Sequence, residues 1–71
     1  MTLIELSKDE IRTISHFTDE EIGGKLICKG LKPGTRIQVV RKTTGNQTYY
    51  IKTEKNRLAI RASEAAVIEL T

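Results

Sequence analysis

The chain has 71 residues, of which 38% are hydrophobic and 30% are charged, and its formal net charge is +3. This length suffices for one domain, residues 1–71, whose modest core leaves little room for a deep catalytic pocket. No apolar run approaches the ~20 residues that cross a bilayer, and residues 1–5 do not resemble a signal peptide. We therefore expect a cytoplasmic protein without direct membrane insertion.

The charges are distributed unevenly along the chain. Residues 1–21 carry six acidic and two basic side chains, whereas residues 22–61 carry ten Lys or Arg and a single acid, Glu54. A basic middle of this kind favours an acidic partner at low salt.

A first strand is predicted over residues 10–17, and a helix start follows it. Thr18 is a candidate N-cap, because Glu21 three residues later would complete a capping box. Phe17 before the cap and Ile22 after it fit a hydrophobic staple. The chain is therefore expected to pass from the strand into a helix at Thr18.

This helix is predicted to cover residues 19–29. Leu26 and Ile27 are expected on its apolar side, and Gly30 is expected to end it in the left-handed conformation. Helix-weakening glycines at 23–24 are expected to let a neighbouring backbone approach closely.

Three turns divide the rest of the chain into strands. Pro33 and Gly34 at the centre of residues 32–35 predict a type II turn, and residues 44–47 and 54–56 also favour turns. The predicted strands are residues 36–40, 48–53, 57–61 and 67–70, with one helical turn at residues 63–66. Five strands this short and closely spaced predict a mainly β fold that closes into a small barrel.

No group of side chains forms a catalytic or metal-binding pattern. His16 is the only histidine and Cys28 the only cysteine, whereas a metal site needs several converging ligands and a reactive thiolate needs a base. The acidic run Asp19–Glu21 suits the N-terminus of a helix and points in several directions there. We predict no enzyme, no metal site and no cofactor.

Nucleic-acid binding is an alternative that the basic middle raises. Small barrels that bind single strands combine charge with exposed aromatic rings. The aromatic residues are Phe17, Tyr49 and Tyr50; the first is assigned to the staple, and one tyrosine is expected to face the core. One exposed ring is a poor stacking platform, so we predict no nucleic-acid partner.

Two runs of the sequence resemble the signatures of the FeoA family. Residues 30–37, GLKPGTRI, resemble its G-L-x-P-G-x-x-I pattern, and residues 57–61, RLAIR, resemble its second signature. Lys8-Asp9 stands where many relatives have Pro-Gly, so the first turn is where a difference is expected. The residues that carry the resemblance are Gly30, Leu31, Pro33, Gly34, Arg57, Leu58, Ala59 and Arg61.

The resemblance implies a five-stranded SH3-like barrel with one helix after the first strand and a short helical turn before the last. It also implies a bacterial accessory protein of ferrous iron uptake. Its partner would be the cytoplasmic GTP-binding domain of the transporter FeoB, which would hold it at the periphery of the inner membrane. The partner-contact candidates, chosen for expected exposure, are Leu26, Lys29, Pro33, Gly34 and Tyr50.

Two other functions stay open at this point. The chain could be a stand-alone regulator-like module, similar to the C-terminal domain of DtxR-type iron repressors, or a small nucleic-acid-binding barrel. Weak self-association is also open, because exposed edge strands can pair with one another.

Overall fold

The chain folds into five short strands, two α-helices and two 3-10 turns, and the computed structural model describes residues 1–71. The strands are β1 (Ile11–Phe17), β2 (Arg36–Lys42), β3 (Thr48–Lys52), β4 (Arg57–Arg61) and β5 (Ile68–Leu70). The α-helices are α1 (Glu20–Cys28) and α2 (Ala62–Ala65), and the 3-10 turns are Leu3–Glu5 and Thr44–Asn46. Neither α-helix is long and apolar enough to cross a membrane.

The strands form one antiparallel sheet in the order β4-β3-β2-β1-β5. The first half of β1 pairs with β2, and its second half pairs with β5, with a register shift between Ile14 and His16. Strand β1 therefore joins the two halves of the sheet. The predicted order of elements and the mainly β class are confirmed.

The core is built entirely from apolar side chains and Tyr49. Strand residues at every second position face it, as Ile37 and Val39 do on β2. On β4, Ile60 faces the core, while Leu58, the second residue of the strand, is only half-buried. The buried residues are Leu3, Leu6, Ile14, Leu26, Leu31, Ile37, Val39, Tyr49, Ile51, Ile60, Ala65, Ile68 and Leu70.

The predicted helix start is wrong by one residue. Asp19 is the N-cap, and its Oδ1 accepts a hydrogen bond of 2.9 Å from the backbone N–H of Ile22. The backbone N–H of Thr18 instead donates to the carbonyl of Val67 at 2.9 Å. Thr18 therefore continues the pairing of β1 with the segment before β5. The helix cap is the next residue, Asp19.

The predicted end of the helix is confirmed. Gly30 has φ +98°, and its N–H donates to the Ile27 carbonyl at 2.9 Å. The N–H of Leu31 donates to the Leu26 carbonyl at 2.9 Å, which completes a Schellman motif. Ile27 is 48% exposed, so the prediction that it lies on the apolar side is wrong, since only one of two adjacent helical residues points at the core.

The two glycines of α1 differ in their surroundings. A β carbon at Gly23 would lie 2.8 Å from the β carbon of Phe17, whereas nothing lies within 4 Å of one at Gly24. The expected close neighbour is therefore an aromatic side chain at Gly23, rather than a backbone, and Gly24 has none.

The sequence did not predict the structure of the N-terminal segment. Glu5 accepts a hydrogen bond from the backbone N–H of Thr2, which is the main cause that lowers the pKa of Glu5. The Met1 ammonium lies 3.1 Å from the Glu69 carboxylate, and the segment continues beside β5 through a bridge between Thr2 and Glu69. Local hydrogen bonds and contacts with a distant strand together order this short segment.

Candidate protein-binding surface

Two of the predicted contact residues belong to the end of α1, and only one of them is accessible. Leu26 is fully buried, so its expected place on an exposed helix face is wrong. Lys29 is exposed, and its ammonium lies 3.3 Å from the Glu64 carboxylate of α2. Accessible helix contacts are therefore limited to Lys29 and its exposed neighbours, which include Ile27.

Glu64 is held by two elements at once. Partial burial raises its pKa, whereas the hydrogen bonds from the Arg61 backbone N–H, at 2.8 Å, and from the Lys29 ammonium lower it. The hydrogen bonds and the nearby positive charges together outweigh the effect of burial, so the pKa of Glu64 lies below its ordinary value. This carboxylate ties the start of α2 to the end of α1.

Pro33 and Gly34 form the predicted type II turn and are exposed. Gly34 has φ +94°, and the N–H of Thr35 donates to the Lys32 carbonyl at 3.1 Å. The turn is anchored on β1, because the N–H of Gly34 donates to the Ile14 carbonyl at 2.8 Å. The exposed turn is therefore held beside the sheet by backbone hydrogen bonds.

The loop after α1 faces the turn between β3 and β4. That turn is closed by the Thr53 side chain, whose Oγ1 accepts hydrogen bonds from the backbone N–H groups of Lys55, at 3.3 Å, and Asn56, at 3.1 Å. Asn56 in turn lies against the backbone of Gly30. Between the two loops lies an open cleft of about 400 Å³.

Basic side chains from five parts of the chain lie near one another: the loop after α1, strands β2, β3 and β4, and the β3–β4 turn. They line the cleft and three adjoining hollows. The cleft and two of the hollows share Thr53 and Glu54, and the third hollow, beside Tyr50, shares Arg57 with one of those two. Six cations accompany one acid, Glu54, and none of the six takes part in an ion pair. We call this set the basic surface: Lys32, Arg36, Arg41, Lys52, Lys55 and Arg57.

Tyr50 lies at one end of the basic surface. It is 39% exposed, and the Arg41 guanidinium lies 4.8 Å from the centre of its ring. Together with Val40, Leu58 and Ala59, these two residues border an apolar groove of about 460 Å³ on the outer face of the sheet. The prediction that one tyrosine faces the core and one the solvent is confirmed, because Tyr49 is buried.

The metal-ligating side chains of this protein do not cluster. No group of three or more His, Cys, Asp or Glu side chains lies close enough to hold a metal ion, and no charged or polar side chain is buried. His16 and Cys28 are both exposed, the first on β1 and the second on α1. What the surface does offer is unpaired positive charge next to an apolar groove.

The contact candidates chosen from the sequence include the turn and Tyr50, but none of the six cations of the basic surface. Arg36, Lys52 and Lys55 were not among the contact candidates, although the charge excess of residues 22–61 was the signal that they share. Locating them needs the topology, because they meet only when the β3–β4 turn folds against the loop after α1.

Comparison with solved structures identifies the fold. The chain is similar to the FeoA-like protein of Clostridium acetobutylicum, with 19% identity over 100% of this chain and 84% of that chain, at a TM-score of 0.90. It is also similar to the FeoA of Stenotrophomonas maltophilia, which was solved with zinc and is described as a prokaryotic SH3 domain protein. That likeness has 24% identity, covers 100% of this chain and 89% of that chain, and has a TM-score of 0.83. The SH3-like fold is thereby confirmed.

A third likeness is to a manganese-dependent transcriptional repressor solved with manganese. It has 11% identity and covers 99% of this chain but only 35% of that chain, at a TM-score of 0.89. The search of curated proteins found no match.

The family assignment rests on the whole sequence. The family described as the FeoA domain matches residues 1–71 and confirms the resemblance that the two signature runs indicate. It comprises small accessory SH3-like proteins and is not a known family of enzymes. The chain belongs to the FeoA family, which is associated with ferrous iron transport.

Proposed function

We propose that this protein is an accessory factor of ferrous iron uptake that binds the cytoplasmic GTP-binding domain of FeoB through the basic surface. Membership of the FeoA family supports the assignment to ferrous iron uptake. The single observation that supports the binding surface is the cluster of six cations with one acid and no ion pair among them. Such a cluster attracts an acidic partner and accelerates its association.

The predicted contacts are arranged around the basic surface in a way that suits a protein partner. Gly34, in the turn anchored on β1, lines the cleft, and Tyr50 borders the apolar groove together with Arg57. Exposed tyrosine and arginine side chains are enriched among residues that contribute most to protein binding. Ile27 also lines the cleft and replaces Leu26 as the apolar contact of the helix.

Isothermal titration calorimetry with the FeoB domain tests the proposal. The domain is titrated without nucleotide, with GDP and with a non-hydrolysable GTP analogue. The variant Lys55→Glu reverses a charge inside the basic surface, and Lys8→Glu reverses an exposed, unpaired charge outside it. We expect the first to weaken binding about tenfold or more, and the second to change it less than about twofold.

Two results would refute this function. One is the absence of binding in every nucleotide state, together with normal ferrous uptake in cells that lack the gene. The other is equal loss of affinity in Lys55→Glu and Lys8→Glu, which would show that only net charge matters.

A regulator-like role is the second candidate, and the likeness to the manganese-dependent repressor favours it. In that role the module would bind a flexible segment of a repressor chain in place of FeoB. Fluorescence anisotropy with labelled peptides from the repressor's interdomain segments separates the two candidates. Peptide binding without any affinity for the FeoB domain would favour the regulator.

A further inference from the structure

Strand β4 is an edge of the sheet, and one of its sides has no partner strand. It pairs only with β3, through Thr48↔Arg61, Tyr50↔Ala59 and the positions between and beyond them. The backbone N–H of Ala62 donates to Gln47, and that of Thr53 donates to Asn56. These bonds set the alternation of the ladder, in which only every second residue of β4 exchanges hydrogen bonds with β3.

Leu58 and Ile60 therefore direct their backbone groups toward β3, whereas Arg57, Ala59 and Arg61 direct theirs away from the sheet. The N–H of Arg61 is satisfied by the Glu64 carboxylate at 2.8 Å. Arg57 and Ala59 lie on an exposed stretch and make no backbone hydrogen bond outside the strand ladder. Their N–H and C=O groups form a free hydrogen-bonding edge.

The positive charge of this edge determines which kind of strand can pair with it. Exposed edges can pair with a second copy of the same strand, but like charges placed opposite each other oppose that pairing. Two β4 strands that pair antiparallel around Ala59 would place Arg57 of each copy opposite Arg61 of the other. Neither arginine has an ion-pair partner, so the edge favours a segment that carries negative charge.

We infer that the free edge of β4 binds an extended acidic peptide, which adds to the sheet as a sixth, antiparallel strand. The added strand would lie about 4.8 Å from β4, with alternate side chains on the outer face of the sheet. Residues opposite Arg57 and Arg61 would be acidic. The residue opposite Ala59 would be apolar, because the small alanine leaves open the way to the groove beside Tyr50.

The recognised pattern is therefore acidic-x-apolar-x-acidic in an extended segment. The peptide residue opposite Ala59 would exchange both of its backbone hydrogen bonds with β4, whereas its neighbours would direct theirs to solvent. This mode of binding is independent of whether the peptide belongs to FeoB or to another protein.

A blocked seven-residue peptide tests the inference on the intact protein. It has Glu at its second and sixth positions, Leu at the fourth, and Thr or Ser elsewhere. One derivative is N-methylated on the Leu, whose N–H would bind Ala59, and a control is N-methylated on the following Thr, whose N–H would face solvent. Binding is followed by NMR titration and by amide hydrogen exchange.

We expect the Leu derivative to bind about tenfold more weakly than the parent, and the Thr derivative to bind within about twofold of it. The parent peptide should slow exchange at the amides of Arg57 and Ala59. Arg57→Glu should weaken binding of the acidic peptide at least as much, while Lys8→Glu, which makes the same change in net charge outside the basic surface and away from this edge, should leave it within about twofold.

The inference is overturned if the parent peptide does not bind at millimolar concentration, or if both N-methylated peptides bind equally well. It is also overturned if sedimentation shows a dimer in which the amides of Arg57 and Ala59 are protected without peptide. Failure of the calorimetric test with FeoB would leave these results unchanged, so the two proposals fail separately.

Discussion

The side chain of Asn56 lies against the backbone of Gly30, so that the end of α1 and the β3–β4 turn touch at a glycine. A β carbon built on Gly30 would lie 2.9 Å from Nδ2 of Asn56. This contact lies at the cleft that the basic surface surrounds, and it joins the start of the first signature run to the residue that precedes the second.

The first prediction concerns this glycine. Gly30→Ala should lower the free energy of unfolding by about 1–2 kcal/mol, because an L-residue is strained at φ +98°. The Asn56 amide is the end of a flexible side chain and can move, so adding Asn56→Ala should recover only a few tenths of a kcal/mol. Urea denaturation measures both; a Gly30→Ala protein as stable as the parent would contradict the assignment of strain.

The neighbouring glycines of α1 should respond in opposite directions. Gly23→Ala should destabilise the protein by about 1–3 kcal/mol, because the new methyl group would overlap the β carbon of Phe17, which cannot swing away. Gly24→Ala should stabilise it by up to about 1 kcal/mol, because it improves helix propensity in open space. Thermal unfolding of the pair checks this, and a shift of the same sign in both variants would refute it.

Replacement of Asp9 by glycine should stabilise the protein. Asp9 has φ +69° in the turn before β1, a left-handed backbone conformation that strains any residue other than glycine. Asp9→Gly should raise the free energy of unfolding by about 0.5–1 kcal/mol, since it removes strain while the backbone bonds to Val39 and Gln38 remain. Asp9→Ala is the control and should be less stable than either.

The position of the helix cap can be tested by paired substitutions. Asp19→Ala should cost about 1 kcal/mol, because it removes the acceptor of the Ile22 N–H. Thr18→Ala should stay within about 0.5 kcal/mol of the parent, because the Thr18 side chain has no capping bond. If chemical denaturation shows a larger loss of stability in Thr18→Ala than in Asp19→Ala, Thr18 would be the helix cap, as the sequence predicts.

The Glu64 carboxylate should make stability depend on pH. Its pKa is lower in the folded state than the ordinary value of 4.5, so its contribution is complete above that value and is lost as the pH falls through the folded-state pKa. Glu64→Gln keeps an acceptor for the Arg61 N–H but loses the attraction to Lys29. Urea midpoints measured from pH 7 to pH 3 should therefore fall less steeply in this variant than in the parent, and parallel curves would contradict the linkage.

Features that depend on a few neighbouring residues could be predicted from the sequence. The type II turn follows from Pro33 and Gly34, and the helix end follows from Gly30, because only glycine takes up the left-handed backbone without strain. The inward faces of the strands follow from side-chain alternation, as at Ile37 and Val39. Local geometry decides these features wherever the segment lies in the fold.

Features that depend on distant parts of the chain were decided by the tertiary structure. Thr18 is the better local candidate for the helix cap, but its backbone N–H is bonded to the carbonyl of Val67. The cap is therefore Asp19. Leu26 and Ile27 are equally apolar, and only packing against the sheet buries the first and exposes the second. The charges of Arg36 and Lys55 can be counted in the sequence, but their shared surface exists only because a turn between two strands folds against the end of a helix.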